Sequence, residues 1–231
     1  PGKKTGPKTP PPEKYRHPDL NPYLKLHREF GPPVLTSEAL REHAGRWDLL
    51  FGREAPLHLE IGTGNGFFLA GMALRHPEWN WLGLEKRFKR VVLTARKIVA
   101  AGVEAHSRIG RYDAHDLGDL FGSGSLSGVY LNHPDPWPRD SQAKHRLLGP
   151  EFCAELASLL QSGADFRLKT DHWINVEAFL EHTKDLPFVL EGRSDDIARD
   201  GAPWPEDVTT NYQRKFNERG EAVYGIWLRR E

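Results

Sequence analysis

Leu57-His-Leu-Glu-Ile-Gly-Thr-Gly-Asn-Gly-Phe-Phe68 reads as a buried strand that runs into a glycine-rich turn and then into an apolar helix. Gly62, Gly64 and Gly66 alternate across the turn. Glycine permits positive φ there and removes the Cβ atoms that would hold backbone amides away from a ligand, so a nucleotide-like cofactor is the natural guest. A dinucleotide fingerprint would require glycine three residues after Gly64, where this chain has Phe67, so a nicotinamide-dependent oxidoreductase loses its best support. Glu60 precedes the first glycine and makes the pattern ExGxGxG; an acid at a strand end suits a cationic, amino-acid-like ligand. The competing reading is a purely structural strand-to-helix turn.

Downstream, Phe68, Leu69, Met72 and Ala73 give a helical apolar face, and a second short strand, Trp79 to Leu84, ends at Glu85. An acid at that place accepts hydrogen bonds from ribose hydroxyls, or else is a solvated acid at a helix start. Val91 to Ala101 is a helix closed by Gly102, and Glu104 to Ile109 is a weak third strand leading to Tyr112-Asp113-Ala114. After strand three an acid can accept from an adenine amino group while the next backbone amide meets the ring, although Asp113 alone is equally a loop acid. Strand four, Leu126 to Leu131, delivers Asn132-His-Pro-Asp-Pro-Trp-Pro138. Its prolines stiffen a loop that sets the carboxylate of Asp135 beside the aromatic face of Trp137, an arrangement suited to a flat base. Arg139, Lys144, His145 and Arg146 follow as a local basic cluster.

Pro150 opens a helix closed near Gly163, and strand five, Ala164 to Leu168, runs into Lys169-Thr-Asp171. Asp171 thus repeats the placement of an acid past the carboxyl end of a strand, where open parallel sheets bind ligands. Trp173 to Asp185 is a helix, Phe188 to Leu190 a short strand, and Arg193 to Val208 a polar loop. Thr210-Asn-Tyr-Gln-Arg-Lys-Phe216 precedes the last strand, Ala222 to Leu228; Tyr212 can stack on a ligand or simply pack.

Upstream, nine of the eighteen prolines lie within residues 1 to 33 alongside Lys3, Lys4, Lys8, Lys14 and Arg16, a composition that argues against regular helix or central strand. Residues 1–35 therefore read as a proline-rich basic arm, with His27 and Arg28 as weak candidates for RNA contacts, and residues 36–231 as one domain. From Thr36 or Ser37 as N-cap, Leu40, Ala44, Trp47 and Phe51 recur at helical spacing up to Gly52.

The 231 residues carry 32 Lys+Arg against 32 Asp+Glu, so a polyanionic partner must be held by local clusters rather than by a global field. The single cysteine, Cys153, excludes an internal disulfide and a cysteine-based zinc site, and none of the eleven histidines stands with others at a metal spacing, so no metal is expected. No apolar run approaches the roughly 18–20 residues that span a bilayer, and no signal peptide is visible, so a cytoplasmic location off the membrane is expected.

Taken together the motifs resemble those of the bacterial tRNA (guanine-N7-)-methyltransferases, across most of residues 57 to 228: Glu60 to Gly66, Glu85, Asp113-Ala114, Asp135-Pro-Trp-Pro138, Lys169-Thr-Asp171 and Thr210-x-Tyr-x-x-Lys-Phe216. The resemblance implies a Rossmann-like class I methyltransferase fold, a mostly parallel seven-stranded sheet with helices on both faces. It implies S-adenosylmethionine as methyl donor, held by Glu60, Gly62, Gly64, Gly66, Glu85, Asp113, Ala114 and Asp135, with Asp135 also catalytic. Arg139, Lys144, Arg146, Asp171, Thr210, Asn211, Tyr212 and Gln213 would hold the substrate, a guanine at position 46 in the tRNA variable loop. The implied partner is tRNA, with no DNA expected, and monomer and homodimer both stay open. Arg139 stands where the family usually has lysine, Gln213 where it has glutamate, and Asp140, Ser141 and Gln142 occupy a loop usually richer in bases. The rival readings are a methyltransferase acting on an exocyclic base amine of RNA and a non-catalytic RNA-binding partner of the same fold.

Overall fold

The computed structural model describes residues 21–137 and 146–231. A buried five-residue strand, Leu57–Ile61, lies at its centre, every residue covered because helices pack on both faces of the sheet. In chain order the elements are α1 (Pro22–Glu29), β1 (Val34–Leu35), α2 (Ser37–Glu42), α3 (Trp47–Phe51), β2 (Leu57–Ile61), α4 (Phe67–Arg75), β3 (Asn80–Glu85), α5 (Phe88–Ala101) and β4 (Ser107–Arg111). A 3-10 turn (Ala114–Asp119) then leads to β5 (Leu126–Asn132), α6 (Pro150–Leu159), β6 (Leu160–Thr170), α7 (Trp173–Thr183), β7 (Phe188–Ser194), α8 (Ile197–Asp200), α9 (Asn211–Arg219) and β8 (Tyr224–Arg230).

The strands form one sheet in the order β1-β4-β3-β2-β5-β6-β8-β7. Pairing is parallel from β1 through β6, and β8 inserts antiparallel between β6 and β7. From β2 the chain winds outward through β3 and β4, then crosses back to β5 and β6, so the crevice at the carboxyl ends of β2 and β5 is the switch point where such sheets bind ligands. One face buries Leu59, Leu131 and Phe166 under α6 and α7; the other buries Trp81, Ile109 and Tyr130 under α4 and α5.

All seven expected strands are present, and the eighth is Val34–Leu35, inside the stretch read as an arm. Pro33 presets extended backbone there, its carbonyl accepts from the Ile109 amide at 3.0 Å, and Val34 pairs with Ile109. The expectation that residues 1 to 33 form no helix is corrected over Pro22–Glu29. Asn21 caps that helix and Pro22 sits at its first position, where a missing N–H goes unneeded. Leu24 and His27 are buried against the domain, with the His27 ring edge-on to Phe88 at 5.1 Å, so His27 packs instead of facing RNA. The single helix expected between Thr36 and Gly52 is two, because Gly45 takes φ +70° between them; Thr36 caps the first, its hydroxyl accepting from the Ala39 amide.

Candidate active site

The glycine turn is pinned from both sides. Gly62 N donates to Leu84 O at 2.8 Å, tying the turn to β3, and the hydroxyls of Thr63 and Thr94 meet at 3.0 Å, tying it to α5. Gly62, Gly64 and Gly66 take φ of +72°, +57° and +75°, the left-handed region that side chains disfavour. Their surroundings differ. A Cβ on Gly66 would lie 2.7 Å from Thr94 Cα, whereas a Cβ on Gly62 would meet nothing within 4 Å and would stand in a cleft of about 590 Å³.

Glu60, Glu85, Asp113 and Asp135 all border that cleft, at the carboxyl ends of β2, β3, β4 and β5. Glu60 is 1% exposed; one carboxyl oxygen accepts from Asn132 Nδ2 at 3.0 Å and the other is buried without a partner. Burial pushes its carboxyl up to about 8, against the opposing influence of Asn132, the nearby Leu69 amide and Lys169. Glu85 turns its two oxygens to the amides of Gly64 (3.1 Å) and Arg87 (3.0 Å). Asp113 caps the 3-10 turn and takes Lys86 Nζ at 2.7 Å and His115 Nδ1 at 2.9 Å; partial burial opposes its ionisation, but these hydrogen bonds prevail and hold it at about 2. Ala114 follows, buried at the cleft edge.

Asp135 is exposed at the mouth, on a loop anchored at both ends. His133 N donates to Lys169 O at 2.8 Å, Asn175 Nδ2 donates to Pro134 O at 3.1 Å, and Arg146 Nε donates to Trp137 O at 2.9 Å. His133 and Trp137 both sit at positive φ, +52° and +41°, strain that the anchors hold in place. Arg146 thus braces the loop through the Trp137 carbonyl. Arg139 and Lys144 lie outside the described residues.

Asp171 reaches the same cleft, with His133 Nδ1 at 3.2 Å from one oxygen and His172 Nε2 at 3.0 Å from the other. Burial would raise its carboxyl, but the His133 hydrogen bond and the two imidazoles lower it. Neither histidine stood among the sequence candidates, although each adjoins a residue that did, and the pairing joins positions 38 residues apart. Thr210 caps α9 through a bond from the Gln213 amide at 2.9 Å, and Asn211 and Tyr212 line the cleft. Tyr212 lies over the glycine turn, 3.9 Å from where a Gly64 Cβ would be. Gln213 points the other way: it is 3% exposed and accepts from Lys169 Nζ at 2.9 Å. Lys169 also meets Asp207 at 2.5 Å and Val208 O at 2.9 Å, so this buried ammonium ties β6 to the segment that carries Tyr212.

A family model described as "Putative methyltransferase" matches residues 54–226. Among solved structures, the 16S rRNA methyltransferase KamB superposes with a TM-score of 0.59 at 16% identity, over 81% of this chain and 94% of its own. A geranyl diphosphate methyltransferase in complex with SAM gives 0.51 at 17% identity, over 84% of each. Fold and cleft together are those of a class I methyltransferase. A tRNA (guanine-N(7)-)-methyltransferase from Geobacillus kaustophilus is 36% identical over 180 residues, 78% of this chain and 82% of its own, and one from Lysinibacillus sphaericus is 34% identical over 183 residues, 79% and 83%. The chain belongs to the tRNA (guanine-N(7)-)-methyltransferase family.

Proposed function

We propose that this protein transfers a methyl group from S-adenosylmethionine to N7 of guanine 46 in the tRNA variable loop. The observation that carries this is the convergence of Glu60, Glu85, Asp113 and Asp135 on one cleft in a chain of this family. The cleft suits the donor: the unpartnered oxygen of Glu60 calls for a cationic hydrogen-bond donor such as an ammonium, and the space a Cβ would fill at Gly62 leaves backbone open to a ligand. Glu60 would hold the amino end of the methyl donor, Glu85 the ribose, and Asp113 with the Ala114 amide the adenine. When bound, that donor supplies an electrophilic sulfonium methyl, and transfer leaves a thioether and a cationic guanine ring.

Guanine N7 carries a lone pair and no proton, so the protein needs no general base, and alignment supplies most of the catalysis. Asp135 is the residue placed to align it. Its exposed carboxylate accepts from guanine N1–H and the exocyclic amine, and its charge faces the positive ring that develops. Asp171 already receives an imidazole on each oxygen, which leaves it to steady His133 and the loop start while Asp135 meets the base. Tyr212 and Trp137 line the site and give it aromatic surface on which a flat base can rest. The decisive experiment incubates the protein with bulk tRNA and labelled donor and analyses the nucleosides. The expected product is 7-methylguanosine at position 46; methylated adenosine, or no transfer, would overturn the assignment.

A further inference from the structure

Helix α5 has a charge pattern unlike the rest of this neutral protein. From Lys86 to Val103 the chain contains Lys86, Arg87, Lys89, Arg90, Arg96 and Lys97 and no acid at all. Four of those bases crowd the start of α5, whose first turn holds no acidic residue, so they oppose the helix dipole instead of complementing it. Elsewhere the surface pairs its charges locally, as Lys184 does with Glu181 at 2.6 Å and Arg199 with Asp200 at 2.7 Å. Among the described residues only Lys86 of this series reaches a carboxylate, Asp113; Arg87, Lys89, Arg90, Arg96 and Lys97 reach none.

These unpaired cations run to the mouth of the cleft. Lys97 Nζ stands 3.7 Å from the centre of the Phe67 ring, and the guanidinium of Arg214 on α9 lies over the same ring at 5.5 Å. Arg90 reaches Asn65 Oδ1 and, at 3.4 Å, the hydroxyl of Tyr212. Phe67, the residue that breaks the dinucleotide fingerprint, is thereby the aromatic floor on which two cations rest. Lys89 and Arg96, both exposed and seven residues apart, continue the strip along the outer side of the helix.

We propose that the outer face of α5, Lys89, Arg90, Arg96 and Lys97, together with Arg214 of α9, is the strip on which the phosphate backbone of the RNA lies while its guanine enters the cleft. This rests on the tRNA reading given above and adds the surface that reading lacks. A polyanion matches the bases of this face that remain once Asp113 has paired with Lys86 and Glu85 has taken the Arg87 amide. Lys89 and Arg96, exposed and without acid partners, are also free to release counterions on contact with phosphates.

The test compares wild type with the triple variant Lys89→Gln/Arg96→Gln/Lys97→Gln, reading tRNA affinity across a salt series, with donor affinity by calorimetry as the check that the cleft is intact. Each lost phosphate contact lowers the slope of log affinity against log salt by about 1, so the variant is expected to lose about 2–3 of slope and at least roughly 10-fold in affinity at low salt. As a measurement on the unmodified protein, lysine acetylation with and without tRNA should show Lys89 and Lys97 protected and Lys184 unchanged. An unaltered slope and affinity, or equal labelling of Lys89 and Lys97 with and without tRNA, would overturn the strip while leaving the methyl transfer standing. A wild type that neither binds nor methylates tRNA would sink the functional reading, and the strip with it.

Discussion

Glu60 holds a carboxyl inside the protein with one oxygen unpartnered, a costly arrangement unless a ligand completes it. With its folded value raised to about 8, the native state keeps a proton that the unfolded chain has lost, so this group's contribution to stability is full below the ordinary glutamate range and declines as pH rises through about 8. Glu60→Gln removes that decline, and its thermal midpoint is expected to gain on wild type as pH goes from 5 to 9. The same variant should bind the donor about 10–100-fold more weakly, the worth of one hydrogen bond to a charged group. Calorimetry showing undiminished affinity would rule out Glu60 as the ammonium site. If Asp135 at the mouth aligns the guanine as proposed, Asp135→Ala should cut turnover by at least about 100-fold with donor affinity within a few-fold of wild type. At this scale the acids were readable from sequence because each stands at or just past the carboxyl end of a strand. His133 was not, since its partner Asp171 is distant in the chain and only the fold makes them neighbours.

Among the elements, the glycine turn and the Lys169 clamp fix where the site residues stand. Gly62→Ala and Gly66→Ala both incur left-handed strain of about 1–2 kcal/mol, but only Gly66→Ala adds a collision with Thr94 on α5. Urea unfolding should therefore rank Gly66→Ala as the less stable of the two, while Gly62→Ala, whose methyl enters the cleft, loses donor binding at a smaller stability cost. Lys169→Met leaves the Gln213 amide oxygen without its donor in the interior and leaves half-buried Asp207 with the Trp204 indole N–H; losing these bonds is expected to cost about 1–3 kcal/mol, and equal stability to wild type would show that the clamp carries nothing. Helix periodicity announced α4, α5 and α7 in the sequence. It overran Gly45, where a positive φ splits α2 from α3, and the density of proline hid α1, where Pro22 occupies the one helical position that suits it.

For the molecule as a whole, residues 21–35 are part of the domain: α1 packs on α5 and β1 extends the sheet beside β4. Leu24→Ala, which empties the buried side of α1, should lower stability by about 2 kcal/mol and open the 21–33 segment to protease; an unchanged cleavage pattern would mean that α1 is not held through this contact. The amino-acid sequence by itself determined the parallel sheet, the glycine turn, and the acids at the carboxyl ends of four of its strands, because each is a local pattern of period, turn chemistry and position. Only tertiary structure decided that these acids share one cleft, that Gln213 turns inward to Lys169, that His133 and His172 flank Asp171, and that the bases of α5 lie beside the cleft mouth. Those relations depend on which distant segments the sheet order brings together, and burial and pairing between such segments leave no mark on the local sequence.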